Sequence, residues 1–229
     1  MKSIVSIAAM ALLCASCFHV NSNWQGGKNS IKGEGEVISK SFDLKDFDAI
    51  EINGHADVTF TQSSVYEVTL RTQANIFDYV DFHVEGSTLV LETKDKQNVH
   101  ATVYDVTIQA PALKSIEVNG AADFKIPSGL RMDGDLMVEV NGSGDLTFDR
   151  IQCVNLSVEA NGACDVDMTS VEVLKNLAVE VNGAGDVNLH GSAGSASFEV
   201  NGAGDIDARQ LKVAGEVEKH ASGVARIKL

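Results

Sequence analysis

Apolar and polar residues alternate along most of the second half of the chain. Leu177, Val179 and Val181 are separated by single residues, and Phe198 and Val200 repeat the pattern. Each run ends at an Asn-Gly pair, and another short alternating run follows. Alternation with a period of two predicts β-strands, and Asn-Gly predicts a bend between them. Only two prolines occur and helical periodicity is nearly absent, so the pattern predicts an all-β protein.

The bends belong to an internal repeat. The segment Glu-Val-Asn-Gly-Ala-Gly-Asp-Val occurs at 180–187, and five related copies occupy 51–58, 117–124, 139–146, 159–166 and 199–206. The asparagines of the last five copies are 22, 20, 21 and 19 residues apart. A further 19 residues leads to His220, within a degenerate copy at 218–227. A period near 20 residues predicts a solenoid.

Two architectures would place Asn-Gly between alternating strands. An antiparallel meander uses Asn-Gly in its hairpins. A meander gives no reason to repeat the same eight residues at the same place, whereas a stack of coils does. We therefore predict a single-stranded parallel β-helix, or β-solenoid, with about 20 residues per coil and about ten coils stacked roughly 4.8 Å apart. We expect a right-handed winding.

Equivalent residues of successive coils would form columns. We expect each Asn to adopt the left-handed conformation at its bend, and its side chain to hydrogen-bond to those above and below. This predicts a structural ladder in preference to a row of ligand contacts. The ladder consists of Asn119, Asn141, Asn161, Asn182 and Asn201.

Acidic residues on either side of each Asn-Gly pair would form two further columns. Like charges about 4.8 Å apart repel by roughly 1 kcal/mol per pair with water-like screening. Calcium bridging successive coils would offset this repulsion. We favour the alternative that each Asp accepts hydrogen bonds from backbone amides of its own turn, while the Glu side chains are solvated. The calcium candidates are Asp145, Asp165, Asp186 and Asp205.

The N-terminal part is less regular. Asn53 and Asn119 are 66 residues apart, which we interpret as three wider coils. The segment 71–81 is predicted to leave the stack. The segments 71–81 and 93–104 are the parts of the chain long enough to wall a cleft. Their side chains suit carbohydrate binding better than catalysis.

The first residues predict export. Lys2 precedes a short apolar run, and Leu12-Leu-Cys-Ala-Ser-Cys17 resembles a bacterial lipoprotein signal in which Cys17 is lipidated. Ordinary signal cleavage is the alternative. We therefore divide the chain into a signal peptide at 1–17, a flexible tether at 18–34 and a β-helix domain at 35–229. The predicted location is the outer membrane, on either its surface or its periplasmic side, with the lipid as the membrane attachment.

Composition and motifs narrow the function. A net charge of −14 argues against binding to nucleic acid or anionic membranes. Gly-x-Ser-x-Gly is absent, and the six histidines are scattered, so we predict no catalytic residues, no zinc site and no cofactor. Cys153 and Cys164 are either a disulfide or two buried thiols.

The order of several segments resembles the head GIN domain family, described as auto-transporter adhesins. It begins with Phe42-Asp-Leu-Lys-Asp-Phe-Asp-Ala-Ile-Glu-Ile-Asn-Gly54, continues through Val106-Thr-Ile-Gln-Ala-Pro-Ala-Leu-Lys-Ser-Ile-Glu-Val-Asn-Gly120 and ends with the Gly-Asp repeats. The resemblance covers roughly 35–229 and implies a β-helical head at the cell envelope, without known catalytic residues. A lipoprotein signal in place of a translocating barrel departs from a true auto-transporter.

These observations predict a non-catalytic binding protein of the envelope. Its partner would be a glycan, a protein or a neighbouring copy of the chain. A periplasmic scaffolding lipoprotein is the close alternative. A polysaccharide lyase or hydrolase is the third, because parallel β-helices host such enzymes and fold alone does not exclude one.

Overall fold

Residues 30–229 are described by a computed structural model of the chain. The signal peptide 1–17, Cys17 and most of the predicted tether lie outside these residues. The described part contains 3₁₀ helices at Ala74–Tyr79 and Lys94–Lys96. Its strands are β1 (Ile31–Lys32), β2 (Val37–Phe42), β3 (Ala49–Gln62), β4 (Glu67–Gln73), β5 (Val80–Glu85), β6 (Thr88–Thr93), β7 (Val99–His100), β8 (Tyr104–Ala110), β9 (Ser115–Ile126), β10 (Leu130–Arg131), β11 (Leu136–Phe148), β12 (Ile151–Cys153), β13 (Leu156–Gly183), β14 (Asp186–Gly202), β15 (Asp205–Val213), β16 (Val217–Gly223) and β17 (Arg226–Lys228).

Stacked parallel strands form a β-solenoid, which confirms the predicted fold class. Strand accounts for 72% of the chain and helix for 4%, and each turn takes about 21 residues. The stack has about 5 turns, so the expected ten coils are wrong. The order β3-β9-β11-β13-β14 places each repeat directly on the one before it.

The core is a set of inward-facing columns. The residue between the repeated Glu and Asn is buried in every coil, as in Val118, Val140 and Val200. Aromatic rings fill wider parts of the interior, and Phe124 packs on Phe148 with their ring centroids 6.3 Å apart. Burying the alternate side chains of each strand supplies most of the stabilisation, at roughly 25 cal/mol per Å² of apolar surface.

At the bend, the residue with a positive φ angle is the glycine and not the asparagine. Gly142 has φ 158°, whereas Asp46, Asp95 and Lys96 are the non-glycine residues with positive φ in the described chain. The left-handed Asn predicted above is therefore wrong. A Cβ on Gly142 would overlap the carbonyl oxygen of the equivalent glycine in the coil below, so close stacking explains the glycine column.

The N-terminal part is an antiparallel insertion. Asn119 pairs directly with Asn53, so the 66-residue spacing does not correspond to three coils. In this part of the chain, β4 pairs antiparallel with β8 and with the preceding β2, and β5 pairs antiparallel with β6. The predicted excursion at 71–81 contains the first 3₁₀ helix. Strand β3 pairs with β9 along one side. Along its other side, the first half of β3 pairs with β6 and the second half of β3 pairs with β8.

The two ends of the described chain differ from the sequence interpretation. Strand β1 pairs with β7, although its residues fall in the predicted tether. In the last coil, Ser222 and not His220 occupies the Asn position, and His220 pairs with Glu199. Lys219 takes the core position that Phe198 holds one coil earlier, and β16 is exposed throughout. A charge at this register position discourages further stacking at the open end.

Cys153 and Cys164 are buried free thiols, so the disulfide alternative is wrong. Burial raises the pKa of each thiol to about 11. Within residues 30–229, none of the helices has the length and apolar character needed to cross a membrane.

Candidate functional site

The repeated asparagines stand in one continuous column. Each Asn donates its side-chain amide to the Oδ1 of the Asn in the preceding coil, at 3.0 to 3.2 Å. Asn53 is the first member and Asn201 the last. The geometry is that of an amide ladder, in which successive hydrogen bonds run along the axis of the stack. The intermediate members are Asn119, Asn141, Asn161 and Asn182.

The Glu column is tied to this ladder. In every copy, the Asn amide also donates to the Glu two residues before it, as from Asn161 to Glu159 Oε1 at 2.8 Å. Residues i and i+2 of a strand share a face, which brings the two side chains together. The expectation that the Glu side chains are simply solvated is therefore wrong. Each carboxylate accepts a charge-assisted hydrogen bond instead.

The Asp column accepts hydrogen bonds between coils. Asp165 Oδ1 accepts from the backbone N–H of Asp186 at 3.0 Å, and Asp186 Oδ1 accepts from that of Asp205. Asp145 uses its own N–H to donate to Asp123. The carboxylates of Asp123, Asp165 and Asp186 thus bond the next coil and not their own turn. Asp205 also pairs with Lys228, at 2.9 Å, which lowers the pKa of Asp205. These contacts offset the repulsion for which calcium was considered.

A second polar ladder runs along a different side of the solenoid. Asn155 donates to Asp135 at 2.7 Å, Asn176 donates to Asn155, and Ser195 donates to Asn176. This ladder was not predicted, because its members lie outside the Asn-Gly bend and one of them is Ser. Their spacings of 20, 21 and 19 residues were the available signal.

A cleft opens where the regular stack ends. It has a volume of about 330 Å³ and lies between the Asn53 bend and the segment that joins β6 to β8. A neighbouring hollow of about 460 Å³ shares the side chains of Asn53, Glu92, Gln97 and Asn98. Both volumes fall in the range of small-ligand sites.

The cleft arises because the inserted segment does not follow the bend of β3. Strands β6 and β8 pair with the two halves of β3, but residues 94–103 between them do not pair with β3. Thr93 fixes the base of this loop by donating its hydroxyl to the Gln97 carbonyl oxygen at 2.8 Å. His55 Nδ1 donates to the Ala121 carbonyl oxygen at 2.9 Å, which holds its ring against the opposite wall.

Of the two segments predicted to wall a cleft, one does so. The lining includes Gln97, Asn98 and Tyr104 from 93–104, but no residue from 71–81. Arg71 is instead paired with Asp105 at 2.8 Å. Tyr104 is mostly buried, and burial raises the pKa of its hydroxyl.

The fold also assembles a cluster that the sequence analysis missed. Asp81, His83 and Glu92 lie on one face of the β5–β6 hairpin, with their ligating atoms within 4.8 Å of one another. The separation of Asp81 and His83 by one residue was the available signal. Its completion by Glu92 depends on hairpin register, which the repeat does not encode.

Comparison with protein families gives a match over residues 46–229, to the family described as "Putative auto-transporter adhesin, head GIN domain". The chain belongs to this family. The match covers the antiparallel insertion as well as the repeats, which confirms the resemblance seen in the sequence. The description of the head GIN domain family supports an exported or surface protein with a binding role.

Solved structures share the fold. A putative adhesin from Parabacteroides merdae is 25% identical, with a TM-score of 0.78, and the match covers 87% of this chain and 84% of that one. A putative adhesin from Parabacteroides distasonis is 23% identical, with a TM-score of 0.79 and the same coverage. A protein from the same species called a putative lipid binding protein is 20% identical, with a TM-score of 0.78, over 87% of this chain and 96% of that one. Comparison with curated proteins found no match.

Proposed function

We propose that this head GIN domain is a non-catalytic surface-binding protein that recognises a glycan in the cleft beside Asn53. The observation that carries the proposal is the set of amide side chains at the cleft. Gln97 and Asn98 lie on its outer wall, and neither side chain has a hydrogen-bond partner within the described residues. An amide offers both donors and an acceptor, which suits the hydroxyl groups of a sugar.

The cleft favours binding over hydrolysis. Glu92 is the single carboxylate among the residues that line it. Glycoside hydrolysis ordinarily uses two carboxylates on either side of the scissile bond. The coils after Asn119 are also short, and they leave no long loops to build a groove around a polysaccharide. These features support an adhesin-like role in preference to the lyase or hydrolase alternative.

A glycan array probed with the purified chain tests the proposal. We expect selective binding to one class of glycan without release of sugar. The double substitution Gln97→Ala with Asn98→Ala should weaken that binding at least tenfold, because both changes remove amides from the wall of the cleft. Gln210→Ala, an exposed amide in β15, is the matched control and should bind as the native chain does. Equal binding by the cleft variant would refute the site, and product release would refute the non-catalytic role.

We further propose that the chain is exported and anchored by a lipid on Cys17. The support is the lipoprotein-like sequence that ends at Cys17. Metabolic labelling with a fatty acid should tag the native protein, and Cys17→Ser should abolish the label. Labelling that persists in Cys17→Ser would contradict the anchor. Retention of the labelled native protein on the periplasmic side would favour the scaffolding alternative.

A further inference from the structure

Three side chains able to bind metal meet on the outer face of the β5–β6 hairpin. Asp81 lies directly opposite Glu92 across the antiparallel pair, and His83 follows on the same face two residues later. Their ligating atoms all lie within 4.8 Å of one another. We propose that Asp81, His83 and Glu92 bind a divalent transition-metal ion of the Zn²⁺ type.

The electrostatics of the hairpin favour a cation at this position. Two carboxylates directly opposite each other across strands destabilise the pair. Within residues 30–229, Asp81 has no ion-pair partner other than His83, and Glu92 has no Lys or Arg partner. A bound dication would remove the repulsion. Within residues 30–229, the only side-chain hydrogen bond of Glu92 comes from Asn53 Nδ2, at 3.5 Å.

The imidazole of His83 also favours a ligand at this position. Its Nδ1 atom is buried, and it has no hydrogen-bond partner among the residues that the structure describes. The nearest oxygen of Asp81 is 3.5 Å away, which is beyond good hydrogen-bonding distance. A buried nitrogen without a partner is destabilising, because it has lost its hydrogen bonds to water. Coordination through the Nδ1 lone pair would satisfy it, and would leave Nε2–H free to bond to water.

The geometry and the ligand types select the class of metal. Because these separations are at most 4.8 Å, an ion at the centre of the triangle would be no more than about 2.8 Å from each atom, and side-chain shifts of under about 1 Å would reach Zn–N and Zn–O distances of roughly 2.0–2.2 Å. One imidazole with two carboxylates suits zinc and its neighbours, whereas calcium takes oxygen ligands. Asp81 and His83 retain 47% and 40% exposure of their side chains, which leaves an open coordination position for water.

Isothermal titration of the tag-free chain with Zn²⁺ tests the site. We expect one ion per chain and a raised melting temperature. Removing an outer-shell partner of a metal site typically lowers metal affinity by roughly 10–100-fold. His83→Gln and Glu92→Gln each remove a direct ligand, so each should lower the affinity for Zn²⁺ by at least this factor. His220→Gln, an exposed histidine in the last coil, is the matched control and should bind normally. Ca²⁺ should give no comparable heat.

Any of three other outcomes would overturn the proposed metal site. Zn²⁺ binding that survives both His83→Gln and Glu92→Gln would place the metal elsewhere. If circular dichroism shows that the native chain is folded and it still binds no Zn²⁺, the cluster is a solvated ion pair and not a metal site. Binding of Ca²⁺ in preference to Zn²⁺ would refute the assignment of the metal class. All of these readouts are independent of glycan binding, so the two proposals succeed or fail separately.

Discussion

Replacing one asparagine in the middle of the ladder tests its contribution to stability. Asn161 donates to Asn141 at 3.0 Å and to Glu159 at 2.8 Å, and it accepts from Asn182 at 3.0 Å. A neutral hydrogen bond contributes about 0.5–1.5 kcal/mol net, and one to a charged group about 1.5–3 kcal/mol. Because the column is only partly buried, water replaces some of these bonds. We expect Asn161→Ala to lower the free energy of unfolding by about 2–3 kcal/mol.

Urea unfolding followed by circular dichroism measures this loss. The midpoint should fall while the denaturant slope stays the same, since the surface exposed on unfolding is unchanged. Asn201→Ala should cost less, because Asn201 donates two side-chain bonds and accepts none from Ser222. Asn188→Ala removes an exposed Asn without side-chain partners among the described residues, and it should stay within about 0.5 kcal/mol of the native chain. If Asn161→Ala were no more destabilising than this control, the ladder would not stabilise the stack.

Two further predictions follow from the close stacking and from the buried thiols. Gly142→Ala should destabilise the fold by roughly 2–4 kcal/mol in the same assay, because its Cβ overlaps the Gly120 carbonyl oxygen, whereas Gly134→Ala points into open space and should be nearly neutral. Folding raises the pKa of Cys153 and Cys164 from the ordinary 9.0 to about 11, so the folded chain keeps protons that the unfolded chain loses, and stability should fall as pH rises between these values. Cys164→Ala should reduce that fall, and an equal fall would contradict the assignment.

The parts of the fold that depend on local repetition could be predicted from sequence. A strand places alternate side chains on opposite faces. The alternation of the neighbouring residues is therefore enough to predict that Val140 and Val181 are core residues. The recurrence of Asn at a nearly constant spacing likewise predicts a column. Long-range register then follows from the repeat, since any slip would break every Asn pair at once.

The parts that depend on non-repeating contacts could not be predicted. The segment between Asn53 and Asn119 carries no copy of the motif, so nothing in it shows that β4 and β5 run antiparallel. The last coil was misaligned by two residues because its Asn is replaced by Ser222, and the preceding spacing of 19 was extrapolated where the coil has 21. The cleft and the Asp81–His83–Glu92 cluster both depend on this irregular part.

Protease treatment of intact cells tests the proposed surface-binding role most directly. The cells should produce the full chain, and the product to detect is the folded fragment that begins near residue 30. We expect external protease to release this fragment from intact cells, because a head that binds glycans must be exposed to them. Full protection in intact cells, with cleavage only after lysis, would confine the solenoid to the interior of the envelope and contradict the account.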